Sequence, residues 1–176
     1  MPEGLRIIER DEDPYAWTLA QAALLRRGTA ELKSVDAAGL SEFLEERADE
    51  MLSAVRSQMV NLMAHAAKAA SSRNPEIVGH WRSECIEFHD RLVDAYRPSM
   101  LAKIDLASLW RRACRKVNAS FADHGEPKPG LPAQCPFTLD QLVDPNLDLE
   151  QLFATIAGRE PEPGKRRRVM LRPQHK

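Results

Sequence analysis

Histidine and cysteine are the first residues to test in this sequence, because their side chains bind metal ions and act as bases or nucleophiles. The chain has five histidines and three cysteines, and zinc needs three or four such ligands converging at about 2.0–2.3 Å. Cys85 and His89 are four residues apart, as are His80 and Glu84, so each pair shares one face of a helix. Neither pair has a third ligand at a recognisable spacing, and no H-E-x-x-H motif occurs. We predict no metal site, and we interpret Cys85 as a small buried thiol.

His65 is the residue best suited to acid–base chemistry, because an unperturbed imidazole has a pKa of about 6.5. The sequence ties no carboxylate or nucleophile to it, so the simpler interpretation is a histidine hydrogen-bonded to a neighbouring helix or loop. Asp13 followed by Glu31-Leu32-Lys33 resembles only weakly the D…E-x-K pattern of nucleases, whose carboxylates usually lie on adjacent strands. We expect no catalytic residue and no cofactor. An enzyme stays open only through His65 and the cysteines.

Basic residues cluster in two places that could attract a polyanion. One cluster lies near the C-terminus, and the other spans residues 111–116, which are predicted to be helical. A flexible basic arm can bind nucleic acid without sequence preference. No aromatic residue is interleaved with these arginines to stack on bases, so a solubilising tail or an intramolecular partner of acidic segments is the alternative. The C-terminal residues that we single out are Lys165, Arg166, Arg167 and Arg168.

The composition is that of an ordinary globular protein. The chain of 176 residues is 43% hydrophobic and 29% charged, with a formal net charge of −1, which argues against wholesale polyanion binding. Along the chain, however, residues 1–50 carry −6, residues 51–118 carry +5, residues 119–160 carry −5 and residues 161–176 carry +5. We interpret these blocks as acidic and basic helices packed together in one domain; separate charged docking surfaces are the alternative.

Cysteine usage and hydropathy indicate the compartment. The number of cysteines is odd and no C-x-x-C pair occurs, which favours reduced thiols. The first residues lack the apolar core of a signal peptide, and no uncharged apolar run approaches the roughly 20 residues that span a bilayer. We expect a cytoplasmic protein with no membrane association.

Helix signals account for most of the chain. Asp13 as N-cap and Pro14 at the first helical position predict a helix that ends before Gly28. From about 37 to 71, nine apolar residues recur at a mean spacing of about 3.6, which predicts one long helix or two collinear pieces with a bend. These residues are Leu40, Leu44, Ala48, Met51, Val55, Met59, Leu62, Ala66 and Ala69.

The second half of the chain continues the helical pattern. Asn74 and Pro75 start a third helix that ends at Pro98, and a fourth is predicted from about 99 to 123. Four prolines and two glycines at 125–136 forbid a helix, and two short helices at 139–143 and 149–157 follow. We therefore predict an all-α, up-and-down bundle of four main helices, with residues 1–158 as a single helical domain. Residues 159–176 are expected to form a flexible basic tail.

Several motifs together resemble a bacterial family known as domain of unknown function 29 (DUF29). The resemblance spans residues 13 to about 145 and rests on the segments DPYAW from Asp13, QAALLRRG from Gln21, LMAH ending at His65, WRS from Trp81 and LPAQCPFTLDQLVD from Leu131. It implies an all-helical bacterial protein and supplies no activity or cofactor. The motif positions to which we assign no role are Trp17, His65, Trp81, Arg82 and Cys135.

The function that this sequence favours is interaction with another protein or with a second copy of the chain. Amphipathic helices are abundant, and no catalytic set converges. We interpret Met51, Met59 and Met63 along one helix first as core residues, and methionine-rich apolar faces also make adaptable binding surfaces. The alternative is a protein that associates non-specifically with nucleic acid through the basic tail and the Arg/Lys helix patch at 111–116.

Overall fold

The computed structural model describes residues 9–27 and 37–158, and in these two ranges all secondary structure is helical. The all-helical prediction is therefore confirmed. The basic residues Lys165 to Arg168 and the predicted stop at Gly28 lie outside the described residues. The elements are α1 (Pro14–Arg26), α2 (Ala37–Ser71), α3 (Pro75–Ala95), a 3₁₀ helix (Pro98–Lys103), α4 (Leu106–Asp123), α5 (Leu139–Val143) and α6 (Leu149–Ile156).

The predicted caps set the starts of these helices. The Asp13 side chain accepts a hydrogen bond from the Ala16 backbone N–H at 2.9 Å, and Pro14 follows it at the first helical position. Asn74 accepts from the Glu76 N–H in the same way at the start of α3. A capping side chain satisfies N–H groups that have no partner within the helix, so these local residues alone determine where the helix begins.

The fourth predicted helix is wrong at its start. Instead of one helix from about residue 99, the chain forms the 3₁₀ helix and begins α4 at Leu106. The reason is Asp105, which has an extended backbone and whose carboxylate accepts from the Ser108 N–H at 3.0 Å. This side chain offers the backbone a cap in place of a continuous helix.

Helix α2 is one unbroken helix of 35 residues and forms the centre of the fold. Helices α1, α3, α4 and α6 all pack against it. As a result its second half is buried on nearly all sides, so that residues outside the predicted apolar stripe are buried there as well. Leu40, which belongs to the predicted stripe, is exposed near the start of the helix. The buried residues of this half are Val55, Met59, Val60, Leu62, Met63, Ala64, Ala66, Ala67 and Ala69. None of the described helices has an apolar stretch long enough to cross a membrane.

Helix α1 runs antiparallel to the first half of α2. The Ser41 hydroxyl donates to the Ala22 carbonyl at 2.9 Å near one end of this pair, and Tyr15 is buried towards the other. Leu19 and Leu24 on α1 are exposed. With no further described helix over this part of α1, the hairpin of α1 and α2 keeps apolar side chains at its surface.

Residues 125–136, which we call the proline-rich segment, pack back against α4. Trp110 on α4 donates its indole N–H to the Pro132 carbonyl at 2.9 Å and meets the Phe137 ring edge-on at 6.0 Å between centroids. Gly125 ends α4 with φ at 68°, a left-handed conformation that favours glycine. The absence of helix predicted for this segment is confirmed.

Candidate functional site

His65 on α2 has a polar partner at each of its ring nitrogens. Its Nδ1 lies 2.9 Å from the Asn61 carbonyl one turn earlier, and a carbonyl only accepts, so Nδ1 carries the hydrogen. Its Nε2 lies 3.1 Å from the Glu84 carboxylate on α3. The ring is charged, and forms an ion pair with this carboxylate, only when it takes up a second proton. The sequence hypothesis of a histidine bonded to a neighbouring helix agrees with this geometry.

Two lysines surround this pair. Lys116 on α4 donates to the Asn61 side-chain oxygen at 2.8 Å, and the Lys68 ammonium lies 5.7 Å from the centre of the Trp81 ring. Burial lowers the pKa of His65, and the two lysines lower it further, against the Asn61 hydrogen bond and the Glu84 charge. Burial also lowers the pKa of Lys68. We call Asn61, His65, Lys68, Glu84 and Lys116 the His65 cluster.

The His65 cluster is a polar link between α2, α3 and α4. His80 extends it, because its Nε2 lies 3.6 Å from the same Glu84 oxygen. Within residues 9–27 and 37–158, nevertheless, no three His, Cys, Asp or Glu side chains are arranged to hold a metal ion. What the cluster can do chemically is share a proton between an imidazole and a carboxylate.

The cysteines are poor nucleophiles. Cys85 is fully buried, and burial raises the pKa of its thiol to about 12. Burial likewise raises the pKa of Cys114 and of Cys135, whose Sγ lies 3.7 Å from the Phe137 carbonyl. Because the thiolate is the reactive form, none of the three thiols is activated near neutral pH.

The remaining motif residues lie apart from one another. Arg82 forms an ion pair with Glu150 and stacks on the Phe153 ring at 5.6 Å, so it ties α6 to α3. Trp17 on α1 is covered by the Arg10 guanidinium at 5.6 Å. Trp81 belongs to the surroundings of the His65 cluster, whereas Trp17 lies on the α1–α2 hairpin and Cys135 in the proline-rich segment.

An apolar groove runs along the α1–α2 hairpin. It has a volume of about 810 Å³. Its apolar lining residues are Pro14, Trp17, Phe43, Leu44 and Met51, and its polar lining residues are Arg10, Asp11, Thr18 and Arg47. A second groove of about 480 Å³ adjoins it and shares Met51 in its wall. On the same hairpin Phe43 is 62%, Leu24 55% and Leu40 45% exposed. We call this surface the hairpin face.

A third groove, lined by basic side chains, lies between α4 and the proline-rich segment. It has a volume of about 380 Å³, and its cationic lining residues are Arg111, Arg115 and Lys128. Asn118 also lines it. The basic patch predicted at 111–116 is thereby divided, since Lys116 points to Asn61 in the His65 cluster while Arg111 and Arg115 line this groove.

Sequence reasoning missed the partners that give these residues their surroundings. Glu84 was visible only as the i+4 neighbour of His80, and nothing in the spacing joins it to His65, 19 positions away. Lys128 stood in a segment recognised only for its prolines. The first set is brought together by helix packing, and the second by the proline-rich segment folding back on α4.

Comparisons with known proteins give the following findings. A family model described as "Domain of unknown function DUF29" matches residues 10–148. A crystal structure of an α-helical protein of unknown function from Rhodospirillum rubrum is similar, with a TM-score of 0.77, 26% sequence identity, and coverage of 84% of this chain and 96% of that one. No curated protein matches the chain.

Proposed function

We propose that this chain, which belongs to the family described as Domain of unknown function DUF29, is a non-enzymatic helical interaction module. The single observation that carries this proposal is the hairpin face. Large apolar side chains that are exposed singly need no explanation, but a contiguous set beside a groove is typical of a binding surface.

The exposed side chains of the hairpin face are neighbours. Phe43 lines the groove, and Leu40 precedes it by three residues on α2. Leu24 follows Trp17 by seven residues on α1, which places both on one side of that helix. The hydrogen bond between Ser41 and Ala22 brings Leu24 and Leu40 to the same end of the hairpin.

The charge around the hairpin face indicates the class of partner. Residues 9–27 and 37–50 carry nine Asp or Glu and four Arg, a formal charge of −5. Two of those arginines are already paired, Arg26 with Glu45 and Arg47 with Glu50. Two copies meeting through this face would repel each other, so the occupant that fits is an amphipathic helix whose apolar stripe is flanked by Lys or Arg.

The experiment uses a pair of labelled helical peptides with the same leucine stripe, one flanked by lysines and the other by glutamates. Fluorescence anisotropy should show the basic peptide binding and the acidic peptide not binding. Since burying a phenylalanine is worth about 1.5–3 kcal/mol, Phe43→Ser should weaken binding by roughly 10- to 100-fold. Leu101→Ser is the matched control, because Leu101 is an exposed leucine outside the hairpin face.

Three results would refute this proposal. They are equal binding of the two peptides, no binding of either peptide, and an equal effect of Phe43→Ser and Leu101→Ser. Light scattering tests for the other possible occupant, a second copy of the chain. A dimer that Phe43→Ser converts to a monomer would assign the hairpin face to that second copy.

A second candidate function is non-specific association with nucleic acid. The observation in its favour is that Arg111, Arg112 and Arg115 are exposed on α4 and form no ion pair with any residue of the described ranges. Deleting residues 159–176 and titrating single-stranded DNA and RNA at two salt concentrations tests it. Binding that falls steeply with salt and weakens on deletion supports the candidate; unchanged or absent binding removes the role of the tail.

A further inference from the structure

The cationic groove between α4 and the proline-rich segment has two fixed walls. One wall is a face of α4 that includes Trp110 and Asn118, and the other is formed by residues 128–133. The hydrogen bond from Trp110 to the Pro132 carbonyl clamps the two walls together. Proline fixes the backbone angle φ, so the second wall is stiff and the groove is largely formed before any ligand arrives.

The charges in this groove are of one sign. Arg111, Arg115 and Lys128 line it, and no Asp or Glu is among its lining residues. None of these three cations forms an ion pair with a residue of the described part of the chain. A cleft lined by unpaired cations concentrates anions, and the planar guanidinium matches the oxygens of a phosphate group.

The volume of the groove and the side chain of Asn118 indicate which class of anion would fit. A volume of about 380 Å³ suits a small molecule. Asn118 is half-buried, and its Oδ1 is buried with no hydrogen-bond partner. A ligand that carries a hydroxyl or amino group beside its phosphate supplies the missing donor, once the amide turns towards the groove.

We infer that this groove binds a small phosphate ester that carries hydrogen-bond donors, in the class of nucleoside and sugar monophosphates. Arg111, Arg115 and Lys128 hold the phosphate, and Asn118 accepts from the rest of the ligand. This inference goes beyond both proposed functions, because the hairpin face shares no residue with the groove and a compact ligand differs from a polymer.

The test is isothermal titration of the full chain with adenosine monophosphate, glucose 6-phosphate, inorganic phosphate and unphosphorylated adenosine. We expect the two esters to bind more tightly than inorganic phosphate and adenosine not to bind. Arg115→Ser should weaken ester binding by about tenfold or more, since a hydrogen bond to a charged group is worth at least that much.

Two further variants separate this site from a general charge effect. Arg112→Ser removes the same charge from the same helix outside the groove and should change ester binding less than about twofold. Asn118→Leu should weaken ester binding and leave inorganic phosphate unaffected. Circular dichroism and the Tm confirm that each variant is folded.

The result that overturns the inference is the absence of ester binding by the unmodified chain. Equal losses in Arg115→Ser and Arg112→Ser would overturn it as well and would assign α4 to a polyanion surface, which titration with single-stranded RNA then detects. Neither result affects the proposed role of the hairpin face.

Discussion

Replacing Trp110 by phenylalanine tests how the proline-rich segment is held on α4. Trp110 is only 1% exposed, and its indole N–H donates to the Pro132 carbonyl at 2.9 Å. Phenylalanine keeps an aromatic ring for the edge-on contact with Phe137 and removes the donor. The substitution therefore acts mainly on one hydrogen bond and on the volume of the pyrrole ring.

The expected loss of stability combines two contributions. Losing the hydrogen bond and leaving the Pro132 carbonyl without its partner costs about 1–2 kcal/mol. The missing part of the indole costs about another 1 kcal/mol through lost burial and the cavity that remains. The free energy of unfolding should therefore fall by about 2–3 kcal/mol, and the Tm by roughly 4–12 °C for a chain of this size.

Urea titration followed by circular dichroism measures this change, because the substitution also removes a fluorophore. Trp81→Phe is the matched control: Trp81 is half-buried and donates no hydrogen bond within the described residues, so its replacement should cost less than about 1 kcal/mol. A loss below about 0.5 kcal/mol for Trp110→Phe, or losses that are equal in the two variants, would refute the clamp.

Three further predictions follow from the same contacts. Burial lowers the pKa of His65 in the folded protein. The free energy of unfolding should therefore be highest above about pH 6.5, the pKa of a histidine in the unfolded chain, and should fall as the pH drops below it. Urea titrations at about pH 7.5 and 5.5 measure this fall, and His65→Gln should make it smaller. Cys85, buried with a thiol pKa of about 12, should react with a maleimide only on unfolding, after Cys114 and Cys135, as mass spectrometry of labelled peptides will show. Asp148→Ala removes the cap that accepts from two backbone N–H groups at the start of α6 and should cost about 1 kcal/mol in thermal unfolding, whereas Asp148→Asn should be nearly neutral.

The parts of the fold that the sequence predicted depend on residues close to each other in the chain. The starts of α1, α3, α5 and α6 follow from caps within three residues, and the extent of α2 follows from its apolar spacing. That spacing fits one helix or two collinear pieces alike, and the structure has one unbroken helix. At the start of α4, where the prediction is wrong, the deciding signal is also local, because Asp105 caps the new helix.

The degree of burial around α2 was less accessible to sequence reasoning. A stripe at helical spacing shows which face is apolar but not how many neighbours cover the helix. Small residues such as Ala64 and Ala67 are buried because several helices pack around the second half of α2, while Leu40 stays exposed where only α1 covers it.

The sequence by itself determined the helical class, the positions of most helix ends and the extended course of the proline-rich segment, because each depends on backbone chemistry over a few residues. Only the tertiary structure decided that His65 meets Glu84, that Lys116 turns to Asn61, and that Lys128 joins Arg111 and Arg115 around one groove. These residues lie far apart along the chain. Their meeting depends on how the helices and the proline-rich segment pack together, which no local pattern records.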